Sequence, residues 1–197
     1  MSASRRLYCA TTNPGKLREF KLGGAAAGWA VEPIPGLASL AAPEETGSTF
    51  TENAAIKAIA YSLHAPDDAM VFVDDSGLSV EALDGAPGVW SARFAGPAAT
   101  DEDNNRLVLE RMAGREDRAA RFVCVIALAR VGALLRTFEA DVRGELLTAP
   151  RGTGGFGYDP LFFYPPFGVT LAEATAEQKL SVSHRGAALR QLFAYLG

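Results

Sequence analysis

The sequence predicts an α/β fold: one 197-residue domain with two lobes, built on a mixed β-sheet flanked by helices. Three observations carry this expectation. Apolar runs that read as strands alternate with capped helical segments along the chain. Near the start a strand passes straight into a helix, the connection that parallel pairing requires. Past the middle, two long β-rich runs, Arg118–Val131 and Leu134–Leu146, follow each other almost without a linker and favour antiparallel pairing. There is no internal repeat, and no linker separates independent cores.

Composition sets the bounds. With 48% hydrophobic and 21% charged residues the chain can build an ordinary core, and folding at this length removes roughly 70% of the unfolded surface, which excludes disorder and collagen. A formal net charge of -4 supplies no basic field for a phosphate backbone, so nucleic acid is excluded as the main partner while a small anion is not. Cys9 and Cys124 lie in apolar runs, as buried thiols of a reducing cytosol do. No stretch reaches 18 consecutive apolar residues, and the opening MSASRRLYCATTN has too short an apolar segment for a signal peptide. The expectation is a cytoplasmic protein with no membrane contact.

In chain order, RRLYCAT reads as a buried first strand. Asn13 then offers an N-cap and Pro14 the first helical position of the next helix. A short strand near Ala30–Ile34 leads into the polar APEETGS. Thr49 and Glu52 then form a T-x-x-E capping box before a helix expected over Phe50–Leu63. MVFVDD reads as a short buried strand that ends in acidic residues, and LSVEAL as a separate alternating strand. DGAPG reads as a turn before VWSARF. Thr100–Ala113 is helical behind an acidic first turn, the two long strands follow, and a Gly- and Pro-dense segment, APRGTGGFGYDPLFFYPPFG, precedes a helical tail.

Four places could carry chemistry. In TTNPGK the backbone N–H groups of a helix start, with Lys16 in the first turn, suit a phosphate; an ordinary N-capped helix with a solvated Lys16 fits the same residues. In VFVDDSG, Asp74 and Asp75 supply hard oxygen ligands for Mg²⁺ and a carboxylate able to take a proton from water. An acidic turn is the plainer alternative. Glu44 and Glu45 form a second acidic pair, which by itself is an ordinary solvated loop. The glycines Gly152, Gly154 and Gly157 have G-x-G-x-x-G spacing, but Tyr158, Asp159 and Pro160 follow where a dinucleotide fingerprint opens a helix, so that reading fails. The same segment offers Phe156 and Tyr158 for stacking on a base, or else tucks them into the core. Finally, Lys179, His184 and Arg185 cluster as donors in KLSVSHRG, where a solvated basic turn is the alternative; His64 reads as a surface residue.

Together TTNPGK, EETGSTFTENA with Lys57, DDSGLSVEALDGAPGVWSARFAG, GTGGFGYDPLF and SHRGAAL resemble the inosine triphosphate pyrophosphatase family, whose members are also called non-canonical purine nucleoside triphosphate pyrophosphatases. The matches run in family order from residue 7 to about 190. The resemblance implies a long mixed sheet with two lobes around a central nucleotide-binding cleft, a homodimer, and Mg²⁺ as cofactor. It implies hydrolysis of ITP, XTP and their deoxy forms dITP and dXTP to the monophosphate and pyrophosphate, which cleanses the nucleotide pool. By position, Thr11, Thr12, Asn13, Pro14, Gly15 and Lys16 hold the triphosphate, with Lys57 adding charge near it. Asp75 accepts the proton and contacts metal, Glu45 is a further metal ligand with Asp74 close by, and Ser76 touches the substrate. Phe156 stacks on the purine, Gly157, Tyr158 and Asp159 complete that wall, and Lys179, His184 and Arg185 close over the nucleotide, the last two facing the base. Trp90 stands where the family has Tyr, and Ala140 where a Gly precedes Gly144 by four positions.

Two rival readings remain. A phosphatase of the haloacid dehalogenase type would use Asp74 as nucleophile and wants a second Asp where Ser76 stands. A non-catalytic nucleotide sensor would use the same residues without turnover.

Overall fold

The computed structural model describes residues 5–197. Its elements are β1 (Arg5–Cys9), α1 (Pro14–Ala26), β2 (Trp29–Pro33), α2 (Phe50–Ser62), β3 (Val71–Val80), α3 (Asp101–Arg111), β4 (Ala119–Arg130), β5 (Ala133–Leu146), β6 (Phe162–Tyr164), β7 (Val169–Thr170), α4 (Ala176–Val182) and α5 (His184–Leu196). The seven strands form one sheet in the order β2-β1-β3-β4-β5-β6-β7. β1 pairs in parallel with both β2 and β3, while β5–β6 and β6–β7 are antiparallel, so the sheet is mixed as expected. β4 and β5 are neighbours joined by Val131 and Gly132 alone, both at positive φ, a connection short enough only for an antiparallel hairpin. No helix among the described residues is long and apolar enough to cross a membrane.

The caps explain where helices begin. The Asn13 side chain accepts from Lys16 N at 3.0 Å and Pro14 occupies the first turn, so α1 starts where the sequence placed it. Thr49 and Glu52 close a capping box at α2, and Thr100 with Asp103 does the same at α3. α2 stops one residue before its expected end. The helical tail is two helices, because Ser183 takes an extended conformation between α4 and α5.

The largest correction concerns β3. MVFVDD and LSVEAL are not separate strands: Val71–Val80 is one ten-residue strand, and Asp74 and Asp75 lie in its interior rather than at its end. Gly77, between the two segments, is a point of close approach. A Cβ there would sit 2.6 Å from the Gly88 carbonyl oxygen, where Ser91 Oγ donates to that carbonyl and accepts from Leu78 N at 2.9 Å. Within the Gly- and Pro-dense segment, YPPFG carries a turn. It is flanked by β6 and the edge strand β7, with Pro165–Phe167 forming the turn between them.

The contacts divide the chain into two compact units. The first comprises the described residues up to Asp75 with Cys124–Ala140 and Arg185–Gly197; the second comprises Ser76–Val123 and Asp141–His184. In the first, Val71 and Val73 pack with Ala54 and Ala58 of α2 and with Val125 and Ala127. Phe72, one residue out of phase, instead meets Phe20 of α1 edge-on at 4.9 Å. Cys9 and Cys124 are buried free thiols, and burial pushes the Cys9 thiol up to about 12. In the second unit, Leu78, Val80, Val108, Met112, Phe122, Leu161 and Phe162 form the core.

Candidate functional site

Successive side chains of a strand point to opposite faces of a sheet, and this alternation decides what Asp74 and Asp75 can do. Phe72 and Asp74 share the face covered by α1, whereas Val71, Val73 and Asp75 share the face covered by α2. The two carboxylates are therefore neighbours in sequence and partners of different groups.

Asp74 is fully enclosed. Lys16 Nζ lies 3.0 Å from its Oδ1, and the Arg185 Nε and Nη2 groups each donate to Oδ2 at 3.2 Å. Glu19, one helical turn after Lys16, accepts from Arg185 Nη1 at 2.7 Å. Burial alone would push the Asp74 carboxyl up, but the Lys16 and Arg185 cations outweigh it and hold the group well below the usual carboxylate range. Burial likewise presses against the charge on Arg185, and Glu19 and Asp74 keep it firmly cationic.

Asp75 is arranged differently. Its Oδ1 accepts from Lys57 Nζ at 2.7 Å, and the same ammonium reaches Glu45 Oε1 at 2.9 Å. Burial raises the Asp75 carboxyl above its ordinary value, with Lys57 pulling the other way and Glu45 adding to the rise. Burial also disfavours the Lys57 ammonium, yet Asp75 and Glu45 outweigh it and hold Lys57 above its ordinary value. Asp75 Oδ2 is buried and makes no hydrogen bond, an acceptor whose desolvation is uncompensated. Glu45 is half-buried on Lys57 and Glu44 is exposed, so the structure separates a pair that the sequence left equivalent. The loop that carries Glu45 is tied to the start of α2: Asn53 Oδ1 accepts from Gly47 N at 2.8 Å, and Glu52 Oε2 accepts from Ser48 N at 2.7 Å.

The donor set fits a hard cation. Among the described residues no group of three or more His, Cys, Asp or Glu side chains could hold a metal alone. Mg²⁺, however, is usually held by one or two carboxylates together with substrate phosphates, and Asp75, with its unpartnered Oδ2, and Glu45, which shares Lys57 with it, are carboxylates of the kind such a site needs. At the start of α1, Thr12 and Pro14 are exposed, Thr11 and Asn13 are half-buried, and Gly15 is buried. Thr11 Oγ1 accepts from Asn13 N at 3.2 Å, which orders the turn ahead of the helix.

The second unit holds the aromatic loop. Phe156 is half-buried between Gly155 and Gly157, both at positive φ. Its amide donates to Asp159 Oδ2 at 2.8 Å, the same carboxylate pairs with Lys179, and the Lys179 ammonium lies 4.6 Å over the Phe156 ring. Asp159 and Lys179 are buried, so they brace the loop. Tyr158 belongs to the core, with its hydroxyl donating to the Ser91 carbonyl at 2.8 Å. His184 is buried with its ring stacked on Phe122 at 4.8 Å. Ser76 follows Asp75 on β3 and is half-buried. Trp90 is exposed beneath Arg93, whose guanidinium lies 4.7 Å from its ring, and Ala140 lies within β5.

Three residues around these sites were not singled out from the sequence. Glu19 was accessible through its three-residue spacing from Lys16. Asp101 and Asn105 of α3, which bind Gly157, carried no local signal, because their partner lies more than fifty positions away.

Comparison with known proteins agrees with this architecture. A dITP/XTP pyrophosphatase of Acidobacterium capsulatum is 52% identical, covering 96% of this chain and 97% of its own length. One of Thermus thermophilus is 48% identical over 98% and 92%. The solved Ham1 protein of Staphylococcus aureus superposes with a TM-score of 0.84 at 39% identity, covering 98% of both chains. The model of the Ham1 family matches residues 7–195. With matches of this extent to the family and to its solved structures, the chain belongs to the Ham1 family.

Proposed function

We infer that this protein hydrolyses inosine- and xanthosine-type purine nucleoside triphosphates, ribo and deoxy, to the monophosphate and pyrophosphate. The observation that carries the reading is Asp75. It is a buried carboxylate with a raised pKa, one oxygen fixed by Lys57 and the other without a partner. Such a group is poised to take a proton from water. The water oxygen bonds to the α-phosphorus, the bond from that phosphorus to the α–β bridging oxygen breaks, and pyrophosphate departs with the electron pair. The water proton goes to Asp75. The helix start Thr11–Lys16 and the cation Lys57 favour the phosphates, through backbone N–H groups and charge. Glu45 and Asp75 would hold Mg²⁺, which when bound neutralises charge that develops on the phosphates. Asp74 we assign to fixing Lys16 and Arg185, since both of its oxygens already meet cations.

Phe156 offers a ring for the purine, and the cation above it strengthens that platform. His184 and Arg185 are assigned to the base. Arg185 is locked by Asp74 and Glu19, and His184 by Phe122, so each is a preorganised donor for a 6-keto oxygen. The 6-amino group of adenine would leave such donors unpaired, which disfavours ATP. Two buried free thiols support a reducing, cytoplasmic setting. Leu63 just after α2, Val131 of the β4–β5 turn, and Leu134 and Leu135 of β5 are exposed apolar residues of one unit and support a homodimer, which sedimentation measures directly.

The deciding assay incubates the protein with inosine, xanthosine, adenosine and guanosine triphosphates, with and without Mg²⁺, and quantifies pyrophosphate separately from orthophosphate. Metal-dependent pyrophosphate from the first two is expected. Orthophosphate with an aspartyl intermediate would instead indicate the phosphatase, although Asp74, enclosed by cations, is poorly placed as a nucleophile. Binding without turnover would indicate a sensor.

A further inference from the structure

We propose that Asp101 and Asn105, on successive turns of α3, are positioning residues that hold the Phe156 platform in the conformation that receives the base. The proposal rests on the reading of Phe156 as the base-stacking residue. A loop with left-handed residues on both sides of its key aromatic has much backbone freedom to lose, so something must hold it. Gly157 is held at both of its polar groups. Its N–H donates to Asp101 Oδ2 at 2.6 Å, and its carbonyl accepts from Asn105 Nδ2 at 2.9 Å. The same Nδ2 group donates to the Asp101 carbonyl at 2.8 Å, which ties the two clamp residues together. Asp159 fixes the other side of Phe156 by accepting from its amide. The aromatic is thus pinned between an α3 clamp and an Asp159–Lys179 brace.

The clamp is built at a local cost. Asn105 Oδ1 is buried and makes no hydrogen bond, while both donors of the same side chain are directed to backbone carbonyls. A buried acceptor without a partner is uncommon in a native fold, and such local costs recur where geometry serves a site. Asp101 is exposed at the first position of α3, where the exposed Glu102 offers the helix start the same charge.

The test is steady-state hydrolysis of inosine triphosphate by Asn105→Ala, Asp101→Ala, Asp101→Asn and Glu102→Ala, with inorganic tripolyphosphate as a competitive inhibitor that has no base. Loss of either clamp residue raises KM about tenfold through weakened stacking, while kcat and inhibition by tripolyphosphate stay within about twofold. Asp101→Asn keeps an acceptor for the Gly157 amide and recovers most of the affinity, and Glu102→Ala leaves KM unchanged. Asp101 is exposed, so its variants carry the test if Asn105→Ala fails to fold. Unchanged KM in the clamp variants, or a loss of tripolyphosphate inhibition in step with KM, would overturn the proposal. A wild-type protein that releases no pyrophosphate from inosine triphosphate would instead overturn the functional reading beneath it.

Discussion

Lys57 Nζ donates to Asp75 Oδ1 at 2.7 Å and leaves Asp75 Oδ2 buried without a hydrogen bond. One oxygen is orientated by a cation while the other keeps its lone pairs for a proton or a metal. Asp75→Asn preserves the shape and still accepts from Lys57, but it is a far weaker base. The expected outcome is a fall in kcat of at least about 10²–10⁴-fold, with nucleotide binding measured by calorimetry largely intact. Near wild-type turnover would remove Asp75 from the proton-accepting role.

Adjacent aspartates should have opposite effects on stability. The folded-state pKa of Asp74 lies below its unfolded value of about 3.9, so its contribution is complete above that pH and is lost only as strong acid titrates the folded group. The folded-state pKa of Asp75 is raised by burial, so its contribution is present below about pH 3.9 and is lost as pH rises through the folded value. At pH 7, in chelator, Asp74→Asn should lower Tm and Asp75→Asn should raise it. The Asp75 difference fades as pH falls from the folded value to about 3.9, whereas the Asp74 difference fades only below about 3.9. Melting curves across pH 3–7 test the pair, and a common sign would contradict the opposite directions of their shifts.

Arg185 is only 2% exposed and neutralises two carboxylates, Asp74 and Glu19. Arg185→Ala strands buried charge, so it should cost about 3–5 kcal/mol in a urea denaturation series. Arg185→Lys cannot reproduce the fork to Asp74 and the bond to Glu19 together, and should recover only part of that loss. A change under about 0.5 kcal/mol, the range of a neutral surface substitution, would show that the network does not support the fold.

Much of this arrangement is legible in the sequence, and the limits have physical causes. Asn13, Pro14 and the Thr49–Glu52 box can be read because capping is local chemistry between residues three apart. The aspartates are misplaced because MVFVDD reads locally as a strand that ends in acidic residues, whereas the approach of Ser91 and the Gly88 carbonyl requires a glycine inside a longer strand. That error hides the alternation which sends Asp74 to Lys16 and Asp75 to Lys57. Tyr158 looks as available as Phe156, since only tertiary packing decides that one joins the core and the other stays half-buried.

Phe156 should control affinity more than rate. Its ring lies beneath the Lys179 ammonium, and base–aromatic stacking is worth about 1–3 kcal/mol. Phe156→Ala should therefore raise KM for inosine triphosphate by about 5- to 150-fold with a smaller change in kcat, and Phe156→Trp should restore most of the affinity. An equal fall in kcat for both variants would place the residue in the chemistry instead.

Metal linkage separates the three acidic candidates. A ligand that binds only the native state stabilises it by mass action, about 2.7 kcal/mol at a hundred times its Kd, so Mg²⁺ should raise Tm of the chelator-treated protein. Glu45 and Asp75 share Lys57, and the free acceptor of the pair is Asp75 Oδ2. Both oxygens of Asp74 already meet Lys16 or Arg185. The Mg²⁺-induced shift should therefore vanish in Asp75→Asn, weaken in Glu45→Gln and persist in Asp74→Asn, each compared with its own metal-free baseline. Loss of the shift in Asp74→Asn alone would transfer the metal to the opposite face of the sheet. It would also make Lys16 and Arg185 competitors of the cation rather than the permanent partners that their distances to Asp74 describe.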